Sequence, residues 1–181
     1  MSTSPTSTAA AARPAPGEYA PYYERYVSLV AGDVSEALER QGAETASLIG
    51  GLSEEQGDAR YEAGKWSAKE LVVHLIDCER IFAYRLLRVA RGDRTPIEGF
   101  DQDPYVANSN AGARTLQSLA EEFAHVRAAT LSLVRSLDAA AWSRRGVANE
   151  NEVSARALAH IIAGHELHHV RILRERYLEQ G

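Results

Sequence analysis

The stretch WSAKELVVHLIDCERIFAYRLLRVARG, residues 66–92, decides the fold class. It opens on a helix start signal. Ser67 and Glu70 have the spacing of a capping box, and Trp66 and Leu71 that of a hydrophobic staple across it. Leu71, Leu75, Phe82 and Val89 then recur on one side of a 3.6-residue period, and Gly92 supplies the stop. The spacing predicts a long helix over about 68–91, with His74 and Cys78 inside its buried arc.

Working outward, the same signals predict three more long helices and no convincing strand. One runs over about 33–50, with Asp33 as cap and Val34, Ala37, Leu38, Leu48 and Ile49 as apolar positions. Another covers about 116–136, with Thr115 as cap and Leu116, Leu119, Phe123, Val126, Thr130, Leu133 and Val134 on one face. The last covers about 155–178, capped by Ser154, where Val153 and Leu158 repeat the staple. A weak internal repeat orders them. LIGGLSEEQ (48–56) resembles LVRSLDAAA (133–141), and SAKEL (67–71) parallels SARAL (154–158). Two such helical hairpins packed together make an all-α four-helix bundle. The 92–114 segment joins the halves. It is long enough for helices two and three to run parallel, so the expected topology is up-down-down-up with a long crossover between them. Loops of this length are uncommon and often functional. With Phe100, Tyr105 and its acidic residues, this one is expected to border a site.

Composition bounds the function. The 181 residues suit one domain with a real core. A net charge of -5 and no basic stripe speak against nucleic-acid binding. A single cysteine excludes an internal disulfide framework and suits a reducing cytoplasm. No apolar run approaches the roughly 20 residues of a membrane helix. Residues 1–18, rich in Ser, Thr, Ala and Pro, read as a disordered tail without the pattern of a secretory signal, and 19–181 as the domain. The aromatic YYERYV (22–27) is expected to pack on that domain.

The chemistry lies in GHELHH, residues 164–169, which contains a literal HExxH: His165, Glu166 and His169. On helix four the apolar arc centres on Leu158, Ile161, Ile162, Ile172 and Leu173. His165 and His169 fall in its middle, one turn apart, while Glu166 sits about 100° round, facing out or lying beside the metal. With His74, three imidazoles point into one core. Burying even one polar group without a partner costs on the order of 1–3 kcal/mol, and a divalent metal explains all three together. Three protein ligands leave a coordination position open, the pattern of catalytic zinc. The zinc-protease reading lacks its context. Only a short segment follows His169, no Gly-x-x-His comes after it, and the substrate-binding strand is missing. Cys78 reads as a small buried residue, with soft ligation as the alternative. Asp77 orients an imidazole or makes a surface salt bridge. Arg85, near the buried arc, needs an anionic ligand or an ion pair with Asp101 or Asp103. His168 is placed at the rim, and His125 and His160 at the surface.

GKWSAKELVVHLIDCERIFAYRLLRVARGD (64–93) together with IAGHELHHVRILRERY (162–177) resembles the DinB/YfiT-like superfamily. The similarity spans about residues 20–178. Its most specific parts are the KWS start, the HLxDxER helix and the terminal GHExHHxxxLRER helix. The resemblance implies a four-helix bundle holding a divalent metal, typically nickel or zinc, on His74, His165 and His169. It also implies, for activity, transferases and isomerases that use a low-molecular-weight thiol on a small electrophile. A metal-dependent hydrolase and a non-catalytic bundle stapled by its metal are the alternatives. The partners expected are a small-molecule substrate, no nucleic acid and no membrane, with pairing into a homodimer left open.

Overall fold

The computed structural model describes residues 12–178. Helix formation follows the caps. The elements are α1 (Glu24–Val27), α2 (Val34–Gly50), α3 (Glu54–Asp58), α4 (Ala68–Ala90), α5 (Gln102–Ala107), α6 (Leu116–Arg135), α7 (Ala139–Ser143), β1 (Arg145–Ala148), β2 (Asn151–Ser154) and α8 (Ala155–Ile172). A π-helical turn, Leu173–Leu178, prolongs α8. Asp33, Ser67, Thr115 and Ser154 each accept backbone N–H bonds at the start of a long helix. At Ser67 the capping box is complete, because Glu70 returns the bond to the Ser67 N–H at 2.7 Å.

α2, α4, α6 and α8 form the bundle, with α6 and α8 each packed against both α2 and α4. α2 and α6 are antiparallel. The Leu116 N–H that opens α6 donates to Glu54, just past the end of α2, and Arg135 at the close of α6 pairs with Glu39 near the start of α2. α4 and α6 run the same way, Val72 and Val73 clustering with Leu116 and Leu119 at their shared beginnings. α8 runs against α4, bringing Leu173 onto Leu71 and Leu75. The topology is therefore the up-down-down-up bundle that the long crossover allows. Each half repeats a long helix, a short capped helix (α3 behind Ser53, α7 behind Asp138) and a second capped long helix.

Three features depart from expectation. β1 and β2 form an antiparallel hairpin, turned by Asn149 and Glu150 at positive φ. Four residues a side are too few for period-two alternation to show in the sequence. Ile97 of the crossover bonds to the hairpin edge, its N–H to the Val147 carbonyl and its carbonyl from the Asn149 N–H. Inside the crossover, Asp101 caps α5. Of the expected 1–18 tail, residues 1–11 lie outside the described residues. Glu18 is instead buried, accepting from the Ser154 hydroxyl at 2.7 Å and from Arg156 at 2.9 Å.

The outer face of α8 is covered as well. His160, expected at the surface, is fully buried, with Nδ1 3.0 Å from the Arg156 carbonyl. The reason is the run of small residues around it. A Cβ on Gly164 would lie 2.0 Å from the Tyr26 carbonyl oxygen, so only glycine lets α1 cross there. The YYERYV segment thus packs on the domain, and it does so against the histidine helix. His125, by contrast, is exposed as expected.

Among the described residues no helix is long and apolar enough to cross a membrane.

Candidate metal centre

α4 carries His74 and α8 carries His165 and His169 to one place. Because α4 and α8 are antiparallel neighbours, inward positions near the start of one meet those near the end of the other. His165 and His169 are one turn apart on the same face. The ring centroids lie 5.0 Å apart for His74–His165, 4.8 Å for His74–His169 and 4.5 Å for His165–His169. One ligand nitrogen from each falls within 4.8 Å of the other two, so the three could hold a metal ion. Trp66 packs on His74, and Tyr26 and Phe82 pack edge-on against His165.

The cluster is short of protons and of acceptors. His74 Nε2 and His165 Nε2 are 3.2 Å apart, so only one of them can carry a hydrogen. His169 Nδ1 is buried without a partner. Burial drives the His74 imidazole down to about 4. Burial, aided by His74 and His168, drives His169 down to about 3. His165 is also held well below its ordinary value, by burial and then by the neighbouring imidazoles. Three neutral imidazoles with facing lone pairs fit a borderline divalent cation, by donor type and by number.

Cys78 lies one turn along α4, its Sγ 3.5 Å from His74 Nδ1. Burial pushes its thiol up to about 12, so it stays protonated. Asp77 does not orient an imidazole. It is half-buried and makes an i,i+3 pair with Arg80 at 3.5 Å. His168 stacks edge-on to His169 and Tyr26 at the rim.

Glu166 faces away from all of these. Its Oε2 accepts from Arg127 Nη2 at 2.7 Å. Arg127 also holds Glu79 through both oxygens, at 2.8 and 2.7 Å, and donates to the Leu38 carbonyl at 2.9 Å. Gln41, with its amide nitrogen turned toward the pair, donates to Glu166 Oε2 at 3.1 Å. Burial opposes the Arg127 charge, but Glu79 and then Glu166 outweigh it and hold the guanidinium more firmly protonated than usual. Burial raises the Glu166 carboxyl against that pull. This knot of four helices was missed in the sequence. Its signal was there in Gly42: a Cβ at that position would lie 2.6 Å from Arg127 Cγ.

Two cavities border the triad. One, of about 420 Å³, reaches His165 between Tyr23, Tyr26, Phe82 and Phe100. The other, of about 430 Å³, reaches His169 beside Trp66 and Tyr177. Asp103 of the crossover lines both, and Gly99 to Asp103 wall the first.

The DinB superfamily model matches residues 37–173 of the chain. Among solved structures, YfiT from Bacillus subtilis superposes with a TM-score of 0.70 at 17% identity, over 79% of this chain and 85% of that one. It is described as a probable metal-dependent hydrolase with an unusual four-helix bundle topology. At that identity the likeness speaks for the fold. No curated protein matches the sequence.

Proposed function

This chain belongs to the DinB superfamily, and from that premise we propose that it is a divalent-metal enzyme of small-molecule chemistry, with His74, His165 and His169 as ligands. The reaction is transfer or isomerisation of a small electrophile assisted by a low-molecular-weight thiol. When bound, a divalent metal, nickel or zinc, supplies Lewis acidity and lowers the pKa of the thiol it holds.

The observation that carries the thiol reading is the engagement of Glu166 with Arg127. A zinc protease needs that carboxylate free as a base beside the metal. Here it serves the core, and a thiol acidified by coordination does not call for a carboxylate base. The chain's own residues bind, orient and exclude water. The α4–α8 contact holds the three imidazoles neutral and converged. Tyr26, pressed onto His165 through the gap at Gly164, covers the triad from outside. Phe82 and Phe100 give the cavity at His165 an apolar wall against which a small organic molecule can lie. A lone buried cysteine suits a cytoplasmic setting.

Asp103 favours a second reading, metal-dependent hydrolysis, the activity named for YfiT. It is the carboxylate that reaches both cavities, so it is the candidate base for water. The test is metal analysis followed by turnover of a panel of small electrophiles with and without added thiols. Turnover that requires thiol supports the first reading. Turnover with metal and water alone, lost in Asp103→Asn, replaces it with the second. Absence of bound metal in the wild-type chain, with no uptake of zinc or nickel, defeats both.

A further inference from the structure

Three cationic side chains are buried among the described residues: Lys69, Arg85 and Arg127. Two are matched by carboxylates. Lys69 pairs with Glu54 at 2.7 Å and Asp58 at 2.8 Å, and Arg127 with Glu79 and Glu166, both at 2.7 Å. Arg85 is different. It is 3% exposed, yet it donates only to a backbone carbonyl, that of Glu98 at 2.8 Å, and its Nε has no partner. Neither Asp101 nor Asp103 pairs with it. Both stand exposed at the mouth of the cavity, and Asp101 accepts instead from the Asp103 N–H. A buried cation without a counter-charge is costly unless something supplies one.

Arg85 lines the same cavity as His165. On α4, His74, Cys78, Phe82 and Arg85 form one stripe along a single face, at helical spacing. The stripe runs from the histidines, past an aromatic ring, to the guanidinium. The two ends are separated by roughly 16 Å of helix axis, shortened by a long side chain that leans back toward the helix start. The guanidinium carbon lies 5.7 Å from the Phe82 ring centre and 5.8 Å from that of Phe100, which fixes the fork between two apolar plates. Tyr23 lines the same cavity.

We infer that Arg85, with Tyr23, is the anion-binding end of this cavity, and that the small molecule taken there carries a carboxylate or a like oxyanion on an apolar body. A guanidinium fork at the wall of a cavity is suited to two oxygens of one group, and a phenol lining the same cavity can add a third hydrogen bond. The plates of Phe82 and Phe100 take the apolar part, and the other end of the molecule reaches toward His165. The inference deepens the proposed function by naming its substrate class, but it stands on the cavity and the unmatched cation, not on the metal.

The test titrates the full chain, stripped of metal by chelation, with benzoate and with benzamide, which share a shape and differ in charge. In calorimetry benzoate binds the wild type about tenfold more tightly or better, as a charge-assisted contact would give. Arg85→Met brings benzoate down to the level of benzamide, and Arg85→Lys recovers part of the preference. Equal binding of the two probes by the wild type, no binding of benzoate, or a preference that survives Arg85→Met overturns the inference. Should Arg85→Met not fold, the wild-type comparison and Arg85→Lys decide it. A zinc titration of the same protein separates the readings. Zinc uptake without a benzoate preference removes only the anion site, and a benzoate preference without zinc uptake removes only the metal.

Discussion

Two polar clusters are buried side by side in this bundle, fed by consecutive residues of α8. His165 turns toward His74 and His169, while Glu166 turns toward Arg127 and Glu79. The Arg127 cluster is closed. Its cation has four contacts at bonding distance, to two carboxylates and a carbonyl, and it ties α2, α4, α6 and α8 together. The histidine cluster is open, because its lone pairs face one another and His169 Nδ1 has nothing to bond. One cluster has its charges matched within the protein, with Glu166 Oε1 its one unpaired atom, and the other turns three neutral imidazoles on one another. Buried polarity alone therefore does not mark a functional site; three ligand atoms of one kind converging on one point do.

Breaking the closed cluster should cost the most. Arg127→Met leaves Glu79 and Glu166 buried without their cation, and removing one partner of a buried ion pair typically costs about 3–5 kcal/mol. Urea unfolding is expected to show a loss of that order, with or without zinc in the buffer. A loss under about 1 kcal/mol would mean the carboxylates protonate freely and that the closed cluster is not what joins the helices.

Breaking the open cluster should act on metal and spare the fold. With His169→Ala we expect zinc affinity to fall by on the order of a hundredfold or more, in competition with a chromogenic chelator, since even residues outside the ligand set typically cost 10–100-fold. The metal-free variant should unfold within about 1 kcal/mol of the metal-free wild type, because a ring without a partner stabilises little.

Acid sharpens the contrast. The folded-state imidazoles of His74 and His169 sit at about 4 and about 3, below the ordinary 6.5 they regain on unfolding. Between those values the unfolded chain binds more protons, so stability rises with pH there. The metal-free protein should hold its full stability above pH 6.5 and lose it progressively as pH falls toward 4 and below. The loss by pH 4 should be several kcal/mol in thermal or urea melts. His74→Phe, which has no proton to gain, should flatten part of that slope; an unchanged slope would acquit the triad.

How much of this could be read from the chain divides along the same line. The long helices were legible because Asp33, Ser67, Thr115 and Ser154 cap them and apolar residues recur on one face. The three histidines were legible because each shares a phase with that face. The Arg127 knot was not, because an arginine on a helix reads as solvated until its partners from distant helices are known. His160 was misplaced for a related reason. A helix wheel registers polarity, whereas the burial of that face comes from Gly164 admitting α1. The hairpin at 145–154 was too short to display a period.

The smallest effect is expected where the sequence motif promised the largest. In an HExxH protease Glu166→Gln abolishes turnover and leaves the metal bound. Here the Glu166 carboxylate belongs to the closed cluster, and its neighbours already include a second carboxylate, Glu79, on the same cation. A glutamine keeps an oxygen for Arg127 and Gln41 and relieves one buried negative charge. Its amide nitrogen falls where Oε1 has no partner now, a modest penalty. The two terms oppose, so unfolding should shift by about 1 kcal/mol or less, and zinc affinity should stay within about threefold of wild type. Thiol-dependent turnover, if present in the wild type, should persist. Full zinc occupancy with turnover wholly lost would put the carboxylate back at the reaction centre. The two clusters would then be one catalytic unit, and hydrolysis would displace thiol transfer as the reading of this bundle.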